Sequence, residues 1–106
     1  MILLKMLLMP KLTILPQALQ QINEILVNVV EFTGFDVSAI RLSDEIYEKI
    51  ERITFMPLAI GRLRDDGSRE AFARKYRIVY DFDEIADEVV ILSVIHSSRI
   101  YPRPEN

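Results

Sequence analysis

The chain predicts an α+β fold: an N-terminal strand, then a two-helix hairpin packed on a small, mostly antiparallel sheet, in the order β-α-α-β-β-β. Three observations predict it. Apolar residues recur at three- and four-residue spacing through two successive segments in the first half of the chain. In Tyr76-Arg77-Ile78-Val79-Tyr80, side chains alternate between two faces, which is the period of a strand. Residues 89–95 then form a nearly unbroken β-branched and aliphatic run, the composition of a strand buried on both faces.

Leu12-Thr13-Ile14-Leu15 reads as a short strand closed by Pro16, whose fixed φ suits the first turn of a helix. Leu15, Ala18, Leu19, Ile22, Leu26, Val29 and Val30 mark one face of that helix, and Gly34 is its stop. Asp36 or Ser38 caps a second helix, buried through Ala39, Leu42, Ile46, Ile50 and Ile53. Its outer face carries Asp44, Glu45, Glu48, Lys49, Glu51 and Arg52. Glu45–Lys49 and Glu48–Arg52 stand at i,i+4 spacing, as on a solvent-facing helix. Residues 56–68 read as irregular: Pro57 ends the helical region, Gly61 permits a turn, and Asp65-Asp66-Gly67-Ser68 is turn chemistry. A strand over 69–75 precedes the two strands already described, which an acidic turn joins.

The 106 residues suit one domain, 1–106, with an apolar N-terminal extension over 1–10 and an extended tail over 102–106. The chain has no cysteine, which excludes disulfides, thiolate catalysis and cysteine-based metal sites. A single histidine argues against a histidine-rich metal site, and no metal or cofactor is expected. The net charge is −3, but residues 62–80 carry six cations (Arg62, Arg64, Arg69, Arg74, Lys75, Arg77) against three acids (Asp65, Asp66, Glu70). Such a segment either meets an anionic partner or shields a sheet edge. The apolar start is far shorter than the ~20 residues a membrane span needs. It also lacks the basic start and cleavage site of a signal peptide, so a cytoplasmic protein without membrane contact is expected. Met1, Met6 and Met9 are each compatible translation starts.

A strand that runs into His96, Arg99 and Tyr101 delivers polar groups from a rigid base to a sheet edge. The plain alternatives are a His96 bonded to backbone at a strand end and an Arg99 paired with Asp81 or Asp83. In the same vein, Arg69 would shield an edge, and Tyr76 and Tyr80 would share a face as core or rim.

The order of elements resembles the RelE/ParE superfamily of toxins from type II toxin–antitoxin systems. Similar to that family are a Pro-x-x-x-Gly-Arg step (Pro57 to Arg62), Arg69 before the next strand, and the Tyr76–Tyr80 strand. So is a terminal Val-Ile-x-x-x-x-His-x-x-Arg pattern (Val90, Ile91, His96, Arg99). The resemblance covers about residues 11–102, and the ending ILSVIHSSR looks most like the ParE (plasmid stabilisation) branch, in which ILxVxHxxR is typical.

The resemblance implies two functions. ParE-type members bind DNA gyrase and block replication without acting as enzymes. RelE- and YoeB-type members are metal-independent ribonucleases that cut mRNA on the ribosome. In both, a cognate antitoxin covers the toxin in a hetero-oligomer and neutralises it; a diverged, non-toxic member would keep only that partner. For target binding the implied contacts are Arg62, Arg69, His96 and Arg99. For RNA cleavage they are His96 or Tyr101 for proton transfer and Arg69, Arg77 and Arg99 for phosphate. The nuclease members place a catalytic Arg one or two positions further along, where this chain has Glu70 and Ala71. Their Lys-rich helix is also replaced here by an acidic one. The expectation is a ParE-like growth inhibitor.

Overall fold

A computed structural model describes residues 9–99 and 101. Residues 1–8 of the N-terminal extension and the 102–106 tail lie outside the described residues. β1 (Lys11–Ile14) leads into α1 (Pro16–Thr33) and α2 (Asp36–Phe55). A single-turn helix α3 (Pro57–Ile60) and a two-residue strand β2 (Arg62–Leu63) follow. β3 (Arg69–Ala73), β4 (Tyr76–Asp83) and β5 (Glu88–His96) complete the chain. The five strands form one sheet in the order β1-β5-β4-β3-β2. β1 runs parallel to β5 and every other pair is antiparallel. This is the predicted α+β architecture with one correction. Residues 56–68 are not irregular throughout but hold α3 and β2. A single turn and a two-residue strand are too short to display a period, so neither leaves a pattern to read.

Helix ends follow local chemistry, with a second correction. Gly34 takes φ 73° and its N–H donates to the Val30 carbonyl at 2.7 Å, ending α1 as expected. α2, however, is capped by neither Asp36 nor Ser38: its N-cap is Phe35, which makes no side-chain cap. The turn is tied instead by Thr33, whose Oγ1 accepts the Phe35 N–H at 3.2 Å. Asp36 falls in the first turn of α2, where its charge favours the positive end of the helix dipole.

The helical hairpin covers one face of the sheet. Ile22 of α1 and Ile46, Ile50 and Ile53 of α2 are fully buried or nearly so, against Ile78 and Tyr80 of β4 and Val89, Ile91 and Val94 of β5. Each such side chain contributes about 1.5–3 kcal/mol on burial. An exposed ion pair contributes about 0–1 kcal/mol. The core therefore holds the fold, and the many charged pairs described below are free to serve other ends.

One irregularity decides where the end of β5 points. Tyr80 pairs with Ile91 but Val79 pairs with Ser93, so Leu92 has no partner and bulges. The bulge reverses the alternation of β5. Val89 and Ile91 face the helices before it, and Val94 and His96 face them after it. β1 stops at the same point, where the Leu15 N–H donates to the Ile91 carbonyl at 3.1 Å. Beyond Ile91 that edge of β5 has no strand partner among the described residues, and Gln21 of α1 takes its place. Its Oε1 accepts the Val94 N–H at 2.8 Å and the Ser93 hydroxyl at 2.9 Å. A buried donor is thereby kept from going unpaired, at a place where an orphan would cost about 1–3 kcal/mol.

Candidate functional site

The residues singled out in the sequence fall at three places. The first is a groove of about 500 Å³ between α1 and the end of β5, lined by Gln21, Glu24, Asn28, Tyr76, His96 and Arg99 among others. His96 stands opposite Tyr76 across the strands, and the two rings meet edge to face with centroids 5.8 Å apart. The Ser98 N–H donates to His96 Nδ1 at 3.1 Å, and the Ser98 hydroxyl lies 2.8 Å from the same nitrogen. A backbone N–H can only donate, so Nδ1 accepts and the neutral ring carries its proton on Nε2. The Arg99 N–H donates to the His96 carbonyl at 2.9 Å, which fixes Arg99 in a tight turn at the mouth of the groove. Pairing of Arg99 with Asp81 or Asp83 is ruled out by register. His96 lies opposite Tyr76 at one end of β4, whereas Asp81 and Asp83 lie opposite Val90 and Glu88 towards the other.

The second place is the anchor of α3. Arg69 Nη2 donates to the carbonyls of Leu58 at 3.0 Å and Gly61 at 2.7 Å. The Tyr80 hydroxyl donates to the Pro57 carbonyl at 2.6 Å from a fully buried position. The Pro-x-x-x-Gly-Arg step is thus a loop clamped by two side chains of the sheet. Arg69 is spent on backbone.

The third place is the sheet face away from the helices. Arg62 Nε donates to Glu70 Oε1 at 3.0 Å, and Arg77 Nε stands 3.2 Å from Glu70 Oε2. Arg77 Nη2 also donates to the Ser97 carbonyl at 3.0 Å. Both guanidinium carbons lie 5.6 Å from the centre of the Phe72 ring. At its rim, Arg64 bonds the Tyr101 carbonyl, with its guanidinium 5.3 Å from the Tyr101 ring centre. Arg74, at φ 52° in the β3–β4 turn, reaches across to Glu45 of α2. Five of the six cations counted between 62 and 80 are therefore engaged within the chain, and the basic stretch is not an open basic patch.

On that same face, burial raises the Asp81 carboxyl above its usual range, with the charge of Asp66 adding to it. For an acid, a raised folded-state value means that ionisation opposes folding. The cost is present above the folded value and vanishes as pH falls below the unfolded one, about 3.9. Asp81→Asn is accordingly expected to raise the thermal midpoint at pH 7 by a small amount and to leave it unchanged near pH 3, about one unit below that unfolded value. Melting curves of both proteins at the two pH values check this.

The sequence over residues 12–101 matches the family described as the ParE toxin of the type II toxin-antitoxin system parDE. The chain belongs to the ParE toxin family. Two solved structures share the fold of this ParE-family chain. One belongs to the chromosomal ParDE TA system of P. aeruginosa: TM-score 0.72, 17% identity, covering 83% of this chain and 96% of that one. The other belongs to the toxin–antitoxin complex RelBE2 of Mycobacterium tuberculosis: TM-score 0.53, 24% identity, covering 83% and 98%. No curated protein matches the sequence.

For this ParE-family chain, sequence reasoning named His96, Arg99, Arg62, Arg69, Arg77 and Tyr101. The structure brings His96 and Arg99 together, places Arg62 and Arg77 together on the opposite face, and leaves Arg69 at neither. It also adds Gln21, which the sequence did not flag, and gives a binding role to Glu70, which the sequence marked only as standing where nuclease members place an Arg. Gln21 sits on the helix face that also carries Leu26 and Val29 only in part, so no periodicity marks it. Glu70 carried a weak signal, being an acid on a strand between Arg69 and the apolar Ala71.

Proposed function

We propose that the chain is the toxin of a type II toxin–antitoxin pair that arrests growth in the cytoplasm by binding DNA gyrase, through the groove of His96, Arg99 and Tyr76. The observation that carries this is the state of the cations. Metal-free cleavage of RNA needs proton donors and acceptors converging on a phosphate with free positive charge around it. Here Arg62 and Arg77 are taken by Glu70, and Arg69 by two carbonyls. Tyr101 lies with Arg64 at a cavity shared with Glu70, whereas His96 lines the groove against α1. Binding needs no such convergence. A half-enclosed groove with an aromatic, a histidine and an arginine at its mouth has the composition of an interface hot spot.

A cognate antitoxin is proposed to cover the apolar tip of the helical hairpin. Phe32 is 92% exposed there, beside Phe35, Val37 and Ile40. Contiguous exposed apolar surface of this kind marks an interaction site.

Pulse-labelling of DNA and protein synthesis just after induction of the chain alone tests the target. DNA synthesis is expected to stop first. If protein synthesis stops first, the gyrase reading gives way to the ribosome-dependent cleavage of mRNA.

A further inference from the structure

We infer that residues 1–8 fold back past the β4–β5 turn and fill a slot beside the free end of β4, with Lys5 against the carboxylates of Asp83 and Glu84. The inference goes beyond the proposed function and does not rest on it. β3 pairs with β4 only as far as Arg69, which stands opposite Tyr80. β4 runs on to Asp83, so along its last three residues that edge has no strand partner among the described residues. In the place of a strand there is a hollow of about 540 Å³, walled by Leu58, Leu63, Phe82 and Ile85 and rimmed by Asp81, Asp83 and Glu84. An open strand edge with apolar walls is a place where an extended segment adds on.

Chemistry and reach both assign the occupant to this chain. The walls lie open, with Ile85 100%, Leu63 66% and Leu58 54% exposed. The charge around them is negative. Arg69, the cation lining the slot, is already bonded to the carbonyls of Leu58 and Gly61. Asp83 uses one oxygen to accept the Ile85 and Ala86 N–H groups, each at 3.0 Å, and neither Asp83 nor Glu84 has a cationic partner among the described residues. The complement of such a slot is an apolar segment with a single cation, and residues 1–8 are apolar throughout except for Lys5. Reach follows from where β1 begins. Lys11 stands opposite Glu88 and its N–H donates to the Asp87 carbonyl at 2.9 Å, so the chain enters the sheet beside the β4–β5 turn, at the slot's own end. From β1 across β5 and β4 to the slot is three strand spacings, about 14 Å. Residues 5–10 span about 20 Å when extended, enough to set Lys5 in the slot. The segment then covers an edge that would otherwise pair with another molecule.

The test is zero-length carbodiimide coupling of the full chain, which joins an amine only to a carboxylate in direct contact, with the linked peptides read by mass spectrometry. An equal mixture of ordinary and heavy-isotope-labelled protein separates links within one molecule from links between two. Lys5 is expected to couple to Asp83 or Glu84 in preference to every other acid, within one molecule. The coupling uses the unaltered chain and needs no variant to fold. Leu3→Asp/Leu4→Asp is expected to abolish that link while thermal unfolding stays cooperative, and to speed hydrogen exchange of the peptide over residues 81–84 at least about tenfold. Should the double variant fail to melt cooperatively, Lys5→Glu carries the exchange expectation alone. Lys5 coupled chiefly to acids elsewhere, or to none, overturns the inference. Links between molecules overturn it too, because they seat a second copy in the slot. So does exchange that is unchanged in a folded variant.

Discussion

Replacing Gly61 with alanine is expected to cost about 3 kcal/mol of folding stability, within the range for a forced overpacking plus a disturbed buried hydrogen bond. A Cβ at residue 61 would stand 2.7 and 2.8 Å from ring carbons of Tyr80, and closer still to its hydroxyl. Tyr80 cannot give way. It is fully buried on the helix side of β4, and its hydroxyl is held by the Pro57 carbonyl of the very loop that contains Gly61. The loop cannot swing out either, because Arg69 fixes the Gly61 carbonyl at 2.7 Å. Urea unfolding of the purified chain measures the loss. Tyr80→Phe in the Gly61→Ala background should recover part of it by removing the nearest clashing atom. Full additivity of the two changes would show that they do not share a contact. A Gly61→Ala midpoint within error of wild type would mean that the α3 loop is not clamped.

On the proposed gyrase contact, truncating Arg99 to alanine is expected to weaken inhibition of gyrase supercoiling by about thirtyfold, the equivalent of about 2 kcal/mol for an arginine at an interface hot spot. His96→Ala should weaken it only a few-fold. The histidine contributes ring contact with Tyr76 and a place for Ser98 to bond, and the proposed binding role asks no proton transfer of it. The contrast between the two variants carries the information. In a nuclease, loss of a proton-transfer residue lowers the rate by about 10²–10⁴, so His96→Ala would then be the severe variant. The titration of half-inhibition for wild type, Arg99→Ala and His96→Ala separates these orders. Equal, undiminished inhibition by both variants would place the contact outside the groove.

Much of this molecule was legible because its signals are local and periodic. The apolar spacing of Ala39, Leu42, Ile46, Ile50 and Ile53 marks the buried face of α2, and all five are buried in the structure. The Gly34 stop, the Tyr76–Tyr80 alternation and the terminal apolar strand were equally readable, since each depends on neighbours in sequence. What escaped were features too short to show a period, α3 and β2, and the start of α2, which has no side-chain cap and is tied by the Thr33 hydroxyl to the Phe35 N–H. The candidate site was legible as a set of residue types and not as an arrangement.

By itself, the sequence determined the fold class, the identity of the core and the residues with chemistry to offer, because burial and turn formation are written in hydrophobicity and backbone preference. Only the tertiary structure decided which face each of those residues occupies and whether its charge is free. An unbroken apolar strand has no alternation to betray a bulge. The reversal at Leu92, which turns His96 towards α1 and Tyr76, depends on β4 pairing and on Gln21 from 73 residues away along the chain. Likewise the charge of Arg74 is met by Glu45 and that of Arg77 by Glu70. The charge of a guanidinium belongs to the chain, but its availability belongs to whatever the folded sheet brings within about 4 Å of it.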